Sequence, residues 1–192
     1  HDETLRFLRN WVGVSCISLS ISSFDDKKNN EIIHSNIKSD SEFWIDLKYL
    51  CSEIKRYDFT LRLSLNMNDF LLPPNNNFEE ITKKAKELGA DQLTLRKMYT
   101  SGDGSQAEWV RKYAGSVKYT NWFNGVDKIV REKGRYLETL EFGALRYSYE
   151  GMSTVIDTDC MSTEGKESLK YLILREDCKL YSKWDDPASL VY

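Results

Sequence analysis

The stretch Ile17-Ser18-Leu19-Ser20-Ile21-Ser22 alternates an aliphatic residue with a serine at every step. A period of two marks a strand whose faces differ. Ile17, Leu19 and Ile21 form one face; Ser18, Ser20 and Ser22 form the other. A half-exposed antiparallel strand would show the same pattern to water, so the stretch alone leaves the serines' destination open. Its neighbours narrow the choice. In 59–67, FTLRLSLNM, Leu61, Leu63, Leu65 and Met67 oppose Thr60, Arg62, Ser64 and Asn66. In 91–99, DQLTLRKMY, Leu93, Leu95 and Lys97 oppose Gln92, Thr94, Arg96 and Met98.

Helical patterns lie between these strands. Residues 2–11 read as a helix closed by Gly13, and 14–22 as the first strand. FDDKKNNEIIHS reads as a polar loop with a short helix near Asn29–His34. Ser41 suits an N-cap for a helix over 42–56, with Phe43, Leu47, Leu50 and Ile54 on one stripe. LLPPNNN breaks both helix and ladder. Residues 78–89 then read as a helix with acidic residues in its first turn and Gly89 at its end. Strands separated by helices imply parallel pairing.

Parallel strands covered on both faces are apolar throughout; these three are not. The pattern predicts an α/β fold over residues 1–100: a partial (βα) barrel of parallel strands, its outer face packed on helices and its inner face lining a ligand cavity. A helical segment is expected over 101–135, with Trp109, Tyr113, Trp122 and Phe123 as core aromatics. A small β-hairpin-rich C-terminal extension is expected over 136–192, with turns near Glu150-Gly151 and Glu176–Cys178.

Composition excludes several classes of function. The 192 residues are 41% hydrophobic and 30% charged, with net charge −3 and pI near 5.6. That is a globular profile, with no general attraction for nucleic acid and no apolar run long enough to cross a membrane. Cys16, Cys51, Cys160 and Cys178 show no Cys-x-x-Cys spacing, which suggests reduced thiols and a cytoplasmic protein. With only His1 and His34 as histidines, no metal-ligand set is expected; Asp25-Asp26 and Asp185-Asp186 read as solvated turns. The chain enters a helical pattern directly after His1, so further polypeptide is expected upstream.

Three segments together resemble the radical S-adenosylmethionine (SAM) superfamily, in the branch of the molybdopterin-pathway GTP cyclase and its SPASM-type relatives. CISLSISSFDDKKNNEI is similar to that family's fourth barrel strand and the turn after it. FTLRLSLNMNDF is similar to the fifth strand, which ends on an asparagine, and ELGADQLTLRKMY to the approach to the sixth. The resemblance covers residues 5–99. The family's Cys-x-x-x-Cys-x-x-Cys motif, which holds a 4Fe–4S cluster, does not occur in these 192 residues, nor does a Gly-Gly-Glu segment.

The resemblance implies that Ser18, Ser20, Ser64 and Asn66 contact SAM, and that Arg62 and Arg96 meet a carboxylate or phosphate of the substrate. It implies a cluster held by residues of a missing N-terminal half. The residues also admit plainer roles: small packed serines, an asparagine capping a strand end, and Arg96 paired with Glu79 or Glu87. Two functions follow as expectations. One is the C-terminal portion of a radical SAM enzyme acting on a polar small molecule, nucleotide or peptide; the other is a non-catalytic α/β binding module.

Overall fold

A computed structural model describes residues 2–33, 45–71, 78–98, 105–140, 143–158, 172–174, 177–182 and 187–191. Two compact units emerge, His1–Cys160 and Met161–Tyr192.

The first unit is mixed α/β, with six helices among the described residues and a mostly parallel six-stranded sheet. Helix α1 (Asp2–Phe7) runs into a wider π turn over Leu8–Val12. Gly13 (φ 78°) supplies the left-handed residue that ends this turn, and its N–H returns to the Leu8 carbonyl. Then come β1 (Cys16–Ile21), α2 (Asp26–Ile33), α3 (Leu47–Arg56), β2 (Thr60–Asn66), α4 (Phe78–Glu87) and β3 (Gln92–Arg96). Helices α5 (Ser105–Ala114) and α6 (Val117–Lys133) lead to β4 (Arg135–Thr139), β5 (Leu145–Tyr149) and β6 (Met152–Asp157).

Strand order is β1-β2-β3-β6-β5-β4. The first four in that order are parallel, and β5 and β4 add antiparallel at the far edge. Each parallel strand is added on the same side of the last. Right-handed crossovers then place every connecting helix on one face, leaving no reversal of strand order of the kind that makes a doubly wound crevice.

Burial agrees with that topology. Leu61, Leu63, Leu65, Leu93 and Leu95 are fully buried in one core with Leu47 and Ile54 of α3, Phe78, Ile81 and Ala85 of α4, and Phe123, Val126 and Val130 of α6. Each such side chain contributes about 1.5–3 kcal/mol of transfer free energy.

Several boundaries differ from the sequence reading. Helix α3 begins at Leu47, because Asp46 accepts the Tyr49 N–H at 2.8 Å; Ser41 and Phe43 lie outside the described residues. Within the expected helical segment, helix α6 begins at Val117, where Ser116 accepts the Tyr119 N–H at 2.9 Å. The sheet takes strands from both sides of the divisions expected at 100 and 135. Strands β4–β6 continue it, with β6 in register beside β3 from Gln92↔Ser153 to Arg96↔Asp157. The turn at Glu150 (φ 49°) and Gly151 (φ 74°) does join two strands, with the paired left-handed residues of a tight hairpin.

The second unit contains a short hairpin of β7 (Ile173–Leu174) and β8 (Leu180–Tyr181). Asp177 accepts from the Tyr181 hydroxyl at 2.7 Å and from the Lys179 N–H, and Cys178 (φ 60°) sits at its turn.

Candidate functional site

Alternation and register fix the face of the main sheet opposite the helices. Across it, one row runs Ser18, Arg62, Gln92, Ser153, Ser148, Arg135. The next runs Ser20, Ser64, Thr94, Val155, Arg146, Glu138, and a shorter third runs Asn66, Arg96, Asp157. All six residues singled out in the sequence therefore share one face. Every charged residue within β1–β6 is on it as well: four arginines and two carboxylates.

The six residues differ in setting. Ser18 and Ser20 are exposed on β1, whose outer edge pairs with no strand among the described residues. Ser64 is 1% exposed. Asn66 and Arg96 are half-buried at the carboxyl ends of their strands. Arg62 donates from Nε to Gln92 Oε1 at 2.8 Å, so β2 and β3 hold its guanidinium between them. Glu79, one of the two carboxylates weighed as a partner for Arg96, lies 3.5 Å from Lys133 Nζ.

Buried polar atoms without a partner mark this face. Among the described residues these are Ser22 Oγ, Ser64 Oγ, Arg96 Nε, Trp122 Nε1, Arg146 Nε, Tyr149 Oη and Ser153 Oγ. Four are on polar-face strand positions, and Ser22 directly follows β1. Each such group costs on the order of 1–3 kcal/mol relative to a satisfied one, and native folds keep few of them. Arg146 and Ser153 escaped the sequence reading because strands β5 and β6 could not be placed beside β3 from their spacing.

Buried asparagines build the strand ends beside the site. Asn68 donates from Nδ2 to the Ser22 and Asn66 carbonyls, both at 2.7 Å, and accepts the Phe70 N–H at 2.9 Å. Asn29 Oδ1 accepts the N–H groups of Ser22 and Ser23. Asn30 pairs with both backbone groups of Ile45. The two serines after β1 are thus fixed by α2 and by the turn after β2. The only signals in the sequence were the asparagines of KKNNE and NMND.

Below the site, Asp91 ties β2 to β3. It accepts the Leu61 N–H at 2.8 Å and Lys55 Nζ at 2.6 Å. Burial pushes its carboxyl up, but the Lys55 hydrogen bond, the Leu61 N–H and the Lys55 charge outweigh burial and hold it below its ordinary value.

The cysteines differ in setting. Cys16 is half-buried on β1, Cys178 is exposed in the second unit, and Cys160 lies outside the described residues. Cys51 is buried in α3, where burial, then the charge of Asp26, pushes its thiol up to about 11. No three His, Cys, Asp or Glu among the described residues form a metal-holding group, so these residues do not fit a 4Fe–4S cluster. Ser18 and Ser20 present two exposed hydroxyls near the buried, unpartnered Ser64 hydroxyl and the Asn66 carboxamide.

A cleft of about 640 Å³ lies on the helix side, lined by Phe24, Asp25, Lys48, Lys84, Glu87 and Leu88. It includes none of the six residues, and Lys84 already pairs with Glu80 at 3.1 Å. No described helix is long and apolar enough to cross a membrane. Compared with known proteins, the chain matches no protein-family model and no curated protein.

Proposed function

We propose that the sheet is part of a (βα) barrel whose polar face binds SAM and a polar substrate, and that the chain is the C-terminal portion of a radical SAM enzyme. The single observation that carries this reading is the gathering of Ser18, Ser20, Ser64, Asn66, Arg62 and Arg96 on one polar face among buried groups that lack partners. The resemblance supplies the identity of the ligand, and the shared polar face supports the reading.

In this reading Ser20 and Ser64, adjacent across β1 and β2, hydrogen-bond the amino-acid or ribose part of SAM, with Ser18 beside them. Asn66, at the carboxyl end of β2, offers both a donor and an acceptor to the ribose hydroxyls. Arg62 is held by Gln92 and Arg96 stands at the end of β3; both meet the substrate and orient it. The leucine face and its helices keep these strands rigid and exclude water from behind the site. SAM, if bound there, would supply the reactive 5′-deoxyadenosyl group, with Ser18, Ser20, Ser64 and Asn66 as the residues that would hold it.

The test is calorimetric titration of the chain with SAM. Saturable binding is expected, weakened at least fivefold in both Ser20→Ala and Asn66→Ala. Binding unchanged in both variants, or none in the parent chain, would remove the SAM reading. A polar face that still binds other small ligands would then be a non-catalytic binding module.

A further inference from the structure

Asn68, two residues beyond Asn66, is fully buried and joins three pieces of backbone. Its Nδ2 donates to the carbonyls of Ser22, just past β1, and of Asn66, which ends β2; its Oδ1 accepts the N–H of Phe70. One side chain thus ties Phe70 to the carboxyl ends of both strands. The turn Asp69–Leu71 that carries Phe70 is held at two further points. Ser116, which caps α6, donates to Asp69, and Leu71 is buried. Behind the Phe70 ring stands Tyr113, 5.4 Å away between centroids, and 5.2 Å from Tyr113 stands Trp109. The Trp109 indole is fixed in turn, its Nε1 donating to the Ile32 carbonyl at 3.3 Å.

Phe70 itself stays 48% exposed. Among the described residues it is the only exposed aromatic in the turns that directly follow β1, β2 and β3. Ligands of α/β sheets bind outside the carboxyl ends of the strands, and base stacking needs a planar ring that is held in place yet accessible. We infer that Phe70 is the ring on which the adenine of a bound nucleoside stacks, with Tyr113 and Trp109 positioning it from behind. The inference rests on the SAM reading, which places the ribose at Asn66, and it gives the base a contact that this reading left out. Adenine is bonded directly to the ribose, so a ribose at Asn66 leaves the base beside the residue that Asn68 binds on its other side.

The test measures, by calorimetry, the dissociation constants of the full 192-residue chain for SAM and, separately, for adenosine. Phe70→Ala should weaken both at least fivefold. Phe70→Leu, which keeps apolar bulk but not the plane, should weaken them as well. Phe70→Trp should bind at least as tightly as the parent chain. Phe7→Ala, which removes a similarly exposed ring from α1, should change neither. Should Phe70→Ala unfold, the contrast between Phe70→Leu and Phe70→Trp decides.

SAM bound equally by the parent chain and Phe70→Leu would overturn the ring contact and leave the SAM reading standing. So would weakening by Phe7→Ala as large as that by Phe70→Ala. Adenosine binding that depends on Phe70, without SAM binding, would keep the ring contact and remove the SAM reading. Binding of neither ligand by the parent chain would remove both.

Discussion

The same strands present two faces made by opposite rules. On the helix side, Leu61, Leu63, Leu65, Leu93 and Leu95 are fully buried and carry no polar side-chain atom. One residue along, Arg62, Ser64, Gln92, Thr94 and Arg96 hold the opposite face, where Ser64 Oγ and Arg96 Nε are buried without partners. The first face is arranged for stability. The second retains groups that cost stability, the usual mark of a site that a ligand completes. Substitutions on the two faces should therefore move different observables.

The largest effect is expected on the apolar face. Leu65→Ala should destabilise the fold by about 2–5 kcal/mol, read as a lowered urea midpoint. Next come the buried asparagines that join the faces at the strand ends. Asn68→Ala strands two carbonyls and the Phe70 N–H, and should cost about 1–3 kcal/mol while also disturbing ligand binding through Ser22 and Asn66. On the polar face, Ser64→Ala removes an unsatisfied hydroxyl, so stability should stay level or rise by up to about 1 kcal/mol.

Acid should act through Asp91. Its folded-state carboxyl is held below the ordinary value, so its contribution is full above the unfolded-state pKa and is lost as pH falls through the folded one. Asp91→Asn should accordingly unfold at lower urea than the parent chain near neutral pH, with the gap narrowing as pH drops below the ordinary aspartate range. The smallest effect is chemical. With its thiol pushed up to about 11 and buried, Cys51 should resist brief alkylation at pH 8 while exposed Cys178 is modified; peptide mapping would show it.

How much of this was legible depended on sequence distance. The alternation in 17–22, 59–67 and 91–99 carried β1–β3, their parallel pairing and the face each residue takes, because one-sided burial imposes a period of two. It did not carry β6. The register from Gln92↔Ser153 joins segments separated by two helices and a hairpin, and nothing in MSTVID names its partner. That missing neighbour hid Arg146 and Ser153. Strand β4 was hidden differently: RYLET is exposed throughout, so burial wrote no alternation into it. Asn29 and Asn30 read as part of a polar loop with a short helix and Asn68 drew no reading, yet all three are buried and bond backbone groups, a role that composition cannot distinguish from a solvated loop.

The most direct test of the two-faced account is a pair of numbers on Ser64→Ala: its unfolding free energy and its SAM dissociation constant, each beside the parent chain. The account predicts stability unchanged or raised together with SAM binding at least threefold weaker. Stability lowered by more than about 1 kcal/mol with SAM binding unchanged would make Ser64 a packing residue and contradict it.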